Sequence, residues 1–66
     1  MSLAEGARTA EDFLLRARDA TASARCAPTI SDAEAMMRVA RIWLDLAGDA
    51  VNDLLAAELD AAAAND

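Results

Sequence analysis

A single proline, Pro28, interrupts a 66-residue chain that is otherwise written in helix-forming residues. Proline removes a backbone donor and pushes the residue before it out of the helical region. Arg25-Cys-Ala-Pro-Thr-Ile30 therefore reads as the one loop. On both sides of it Ala, Leu, Arg, Met and Glu dominate, the residues with the best intrinsic helix propensity. The expected fold is an all-α helical hairpin in one domain spanning residues 1–66. Its first helix covers about 3–24, its loop 25–31 and its second helix about 32–62.

Local signals set the helix ends. Ser31-Asp-Ala-Glu34 has the pattern of a capping box, in which the serine hydroxyl meets the N3 amide and the glutamate reaches back. The first helix has two candidate caps, Ser2 and Thr9, each followed three residues later by an acid. At 100° per residue, Leu3, Ala7, Ala10, Leu14, Ala17, Thr21 and Ala24 form one stripe, flanked by Phe13 and Ala20. Glu5, Arg8, Asp12, Arg16 and Asp19 lie opposite, with Asp12 and Arg16 in a favourable i, i+4 order. Leu15 falls on this polar side. So narrow a stripe of small residues allows a partner helix to approach closely.

Gly48-Asp49 poses the main structural choice, because glycine ends helices and aspartate starts them. A break there makes a three-helix bundle. The polar residues argue for continuity: Glu34, Arg38, Arg41, Asp45, Asp49 and Asn52 share an arc of about 80° only if the helical period runs unbroken through Gly48. The second helix is then about 31 residues and roughly 46 Å long.

The rest of that helix is apolar over about 220°, whereas a helix with one neighbour needs a stripe of roughly 100–140°. Of the 17 large apolar residues, 11 fall between Met36 and Leu59. The first helix is too short and too narrow to cover them. Below roughly 70–80 residues a chain usually needs a disulfide, a metal or oligomerisation. Cys26 is alone and there is no His, which leaves oligomerisation. The expected assembly is a homodimer forming a four-helix bundle. Its self-association residues are Met36, Val39, Ile42, Trp43, Leu46, Val51, Leu54 and Leu55.

Composition narrows the function. The net charge is −6, with six Arg and no Lys, a poor match to a phosphate backbone. Residues 1–31 sum to zero and residues 32–66 carry the whole excess. The longest uncharged run, Cys26 to Ser31, is six residues, too short to cross a membrane. Residues 1–8 lack the apolar core of a signal peptide, and a lone cysteine suits a reducing cytoplasm. Without His, and without a Gly-rich phosphate loop or a Cys-x-x-Cys pair, neither an enzyme nor a cofactor is expected.

Asp45, Asp49 and Asp53 form an i, i+4 ladder of acids. Such residues on one convex helix do not converge on a metal ion. The ladder serves as a solvated face that keeps an apolar oligomer soluble, or as a surface for a basic partner protein. A nucleic-acid mimic blocking a basic groove is the alternative. A small DNA-binding regulator comes third and requires arginines gathered on one face of a dimer. The segment Arg38-Val-Ala-Arg-Ile-Trp-Leu-Asp-Leu-Ala47 resembles a helix of small Ala/Arg-rich helical-hairpin proteins of high-GC actinobacteria and their phages. That resemblance implies a non-enzymatic accessory protein and assigns no functional residue.

Overall fold

The computed structural model describes residues 3–64. They form two helices, α1 (Leu3–Arg25) and α2 (Ile30–Ala64), packed as an antiparallel hairpin. The molecule is a rod of 56 × 15 × 13 Å with a radius of gyration of 15.8 Å. A globular chain of this length has about 11 Å. α2 is one helix of 35 residues, and Gly48 sits inside it without a positive φ. The three-helix alternative is thereby excluded.

α2 starts two residues earlier than its sequence signal suggests. The Asp32 amide donates to Thr29 Oγ1 at 3.1 Å, and the Ala33 amide to the Thr29 carbonyl at 3.0 Å. Thr29, not Ser31, is the N-cap. Thr29-Ile-Ser-Asp32 offers the same hydroxyl-then-acid spacing as Ser31-Asp-Ala-Glu34, and using it adds two residues of helix. α1 ends in a tightened turn, with the Cys26 amide donating to the Ser23 carbonyl at 3.2 Å and the Ala27 amide to that of Ala24 at 3.3 Å.

The core is made of alanine. Ala10, Ala17, Ala20, Ala40 and Ala47 are buried, together with Gly6, and no large apolar side chain among the described residues is. In α1 the inward positions are Gly6, Ala10, Phe13, Ala17, Ala20 and Ala24, alternating steps of four and three. In α2 they are Ala33, Met36, Ala40, Trp43, Ala47, Ala50 and Leu54, alternating three and four. This is a heptad seam on both helices.

The Phe13 and Trp43 rings stack with centroids 5.7 Å apart and planes at 25°. Facing residue numbers in an antiparallel pair keep a nearly constant sum, so this stack sets the register. Ala10 is level with Ala47, Ala17 with Ala40 and Ala24 with Ala33. Small residues thus meet small residues at alternate layers, which lets the backbones approach closely.

The α1 stripe is rotated from the sequence expectation. Ala10, Ala17, Thr21 and Ala24 do lie inward or partly so, but Ala7 is exposed and Leu14 is 49% exposed. Gly6, Phe13 and Ala20 take their places; the Leu3 side chain lies outside the described residues. The cause is the pairing of the two rings, which turns Phe13 toward α2 and carries positions 6 and 20 with it. Thr21 reaches the seam edge with its hydroxyl donating to the Ala17 carbonyl at 2.9 Å, and no buried side-chain N or O atom among the described residues lacks a partner.

Candidate functional site

α1 covers only a sector of α2. In the register above, its first residues lie level with positions 53–54, and from Leu55 to Ala63 every residue of α2 is exposed. The eight residues expected for self-association consequently divide into two sets. Met36, Trp43 and Leu54 lie on the intrachain seam and are half-buried there. Trp43 is held by Phe13 on one side, and the Arg16 guanidinium sits 5.0 Å from its ring centroid. Arg16 engages this ring rather than Asp12. Ile42, Leu46, Val51 and Leu55 stay exposed, and Val39 is partly so.

The exposed apolar side chains of α2 form two flanks on either side of the seam. One carries Ile30, Met37, Leu44 and Val51, a seven-residue repeat within a sector of about 60°. Leu55 and Leu59 extend it toward the C-terminal end. An open groove of about 840 Å3 runs along the part of it between Ile30 and Asp45. Ile30, Met37 and Leu44 line the groove with Thr21 of α1, while Glu34, Arg38, Arg41 and Asp45 form its outer rim. Leu14, 49% exposed, joins this flank from α1 on the same side as Thr21. The opposite flank carries Val39, Ile42 and Leu46, in line with Asp53 and Asp60 further along the helix.

Sequence reasoning left Ile30, Met37, Leu44 and Leu14 out of the candidate surface. The seven-residue spacing of the first three was the available signal. Their exposures of 80%, 52% and 51% make this flank the larger of the two.

The outward ridge of α2 is polar as its pattern implies: Glu34, Arg38, Arg41, Asp45, Asp49 and Asn52 are all exposed. Asp45 and Asp49 lie on this ridge and Asp53 turns from it toward the Ile42 flank. Among the described residues, no group of three or more His, Cys, Asp or Glu is placed to hold a metal ion. No described helix is long and apolar enough to cross a membrane. Cys26 is exposed in the loop as a free thiol.

The chain exposes 5146 Å2. A folded globular monomer of 6.9 kDa exposes about 4,000 Å2 by the usual surface–mass relation. The surplus is roughly 1,100 Å2, in keeping with a rod of 56 × 15 × 13 Å rather than a globule. No family model, curated protein or solved structure matches the chain.

Proposed function

We propose that this chain is a non-enzymatic interaction module that works as a homodimer, two hairpins forming a four-helix bundle. The observation that carries this reading is the mismatch between apolar surface and cover. Among the described residues five alanines and a glycine are buried, while ten large apolar side chains remain 37–80% exposed. Apart from Leu15, these side chains fall on the two flanks of the seam, and exposed apolar patches of that kind are characteristic of interaction sites. A second hairpin supplies the missing layer at the least cost in new chemistry, since the flanks are apolar and their rims are charged.

In such an assembly the outward ridge stays in water. Asp45, Asp49 and Asp53 then give the bundle an acidic exterior that keeps it soluble and favours a basic partner protein over nucleic acid. No base follows Arg41, so the acidic half of α2 has no cation of its own helix to mask it.

Thermal unfolding followed by far-UV circular dichroism tests the dimer. A homodimer that unfolds to single chains has a Tm that rises with protein concentration, by mass action. A sharp transition with a concentration-independent Tm, at unchanged helix content, counts against the proposal.

A further inference from the structure

We propose that the flank of α2 running from Ile30 to Leu59 docks on the same flank of a second copy of this chain, with the two α2 helices antiparallel about a twofold axis beside Leu44. The proposal rests on the self-association argued above and assigns its face, orientation and register.

Continuity selects the face. Ile30, Met37, Leu44, Val51, Leu55 and Leu59 follow one side of α2 along nearly its whole length, each 42–80% exposed. The other flank ends after Leu46, because Asp53 and Asp60 lie in line with it. Two copies meeting there would press these carboxylates toward apolar surface, a costly arrangement.

The pattern on the chosen flank is self-complementary when antiparallel. Ile30 at 80% and Leu59 at 71% are the most exposed large apolar side chains among the described residues, and they stand equally far from positions 44–45 on opposite sides. An antiparallel crossing there sets Ile30 against Leu59 of the second copy, Met37 against Val51, and Leu44 near its own symmetry mate. Leu14 widens the centre of the patch from α1. An isologous contact of this kind closes on itself and uses up the flank.

Charge points the same way. Residues 30–44 carry Asp32, Glu34, Arg38 and Arg41 and sum to zero, while residues 45–64 carry Asp45, Asp49, Asp53, Glu58 and Asp60 and sum to −5. A parallel pair lays one acidic half along the other. The antiparallel pair brings each acidic half beside Arg38 and Arg41 of the other copy. Arg41, on the rim of the groove, then falls within a helical turn of Asp45 and Asp49 of the second copy.

Disulfide trapping in a Cys26→Ser background, read beside sedimentation, tests each element. Oxidised Leu44→Cys is expected to run as a covalent dimer. Mixed Ile30→Cys and Leu59→Cys chains are expected to cross-link with each other, and Ile30→Cys alone is not. By sedimentation, Leu44→Asp is expected to raise the dissociation constant by about 100-fold or more, whereas Ile42→Asp leaves the dimer intact. Efficient cross-linking of Ile30→Cys to itself, or of native Cys26 between copies, overturns the antiparallel arrangement. Dissociation by Ile42→Asp but not by Leu44→Asp overturns the choice of face and leaves self-association standing. A wild-type chain that stays monomeric overturns self-association itself. If Leu44→Asp fails to fold, trapping through Leu44→Cys decides the face.

Discussion

Gly6 lies directly against Leu54: a Cβ built at Gly6 would come within 2.5 Å of Leu54 Cδ2 and 3.1 Å of its Cγ. Glycine leaves room here for the half-buried leucine, which closes the open end of the seam over the α1 backbone. Gly48 is different, since an added Cβ there meets nothing within 4 Å. Gly48→Ala is therefore expected to stabilise the chain by about 1 kcal/mol through helix propensity alone. Gly6→Ala gains the same propensity but displaces Leu54, and is expected to destabilise by about 1 kcal/mol net. Urea unfolding of both variants checks the opposite signs. Combining Gly6→Ala with Leu54→Ala is expected to cost less than the two single changes together, because the small residue vacates the space the new methyl needs.

The buried alanines set the distance between the helices. Ala40 is 2% exposed and level with Ala17, itself 4% exposed. Ala40→Leu is expected to destabilise by about 1–3 kcal/mol, although leucine is the more hydrophobic residue and nearly as good a helix former. Ala57→Leu, on the uncovered part of α2, serves as the control and is expected to leave hairpin stability nearly unchanged. Equal effects at the two sites would show that the seam is not closely packed.

The cap of α2 can be located by a paired substitution. Thr29 Oγ1 accepts from the Asp32 amide, whereas Ser31 is exposed within the first turn. Thr29→Ala is expected to cost about 1 kcal/mol and Ser31→Ala only a few tenths. The reverse order would place the helix start where the Ser31-Asp-Ala-Glu34 pattern suggests.

The stack of Phe13 on Trp43 has a direct optical reporter, since Trp43 is the only tryptophan and there is no tyrosine. Phe13→Ala is expected to shift the Trp43 emission to the red and to destabilise by about 2 kcal/mol, from lost area and ring contact. Arg16→Gln removes only the exposed cation over the ring and is expected to cost no more than about 1 kcal/mol. Unchanged emission in Phe13→Ala would contradict the contact.

Much of the fold was legible because its determinants are local. Pro28 marks the loop, and the unbroken phase of Glu34, Arg38, Arg41, Asp45, Asp49 and Asn52 carries α2 through Gly48. The phase of α1 was not legible, because alanine occurs on both candidate stripes and only the ring of Phe13 meeting Trp43 chooses between them. The start of α2 slipped by two residues because Thr29 and Ser31 both supply a hydroxyl three residues before an acid. The candidate surface suffered for the same reason. An apolar arc of about 220° shows that α1 leaves part of α2 bare, but which part depends on register between helices. The pattern therefore groups Met36, Trp43 and Leu54, which lie half-buried on the intrachain seam, with the self-association residues and does not single out Leu44, Met37 and Ile30.

Sedimentation equilibrium of the wild-type chain, from low micromolar to sub-millimolar protein at moderate salt, bears most directly on the claim that a second hairpin covers the exposed flank. The expected result is a single species of about twice the 6.9 kDa chain mass, dissociating only at the lowest concentrations. A mass of one chain throughout, with α1 and α2 fully helical, would contradict it.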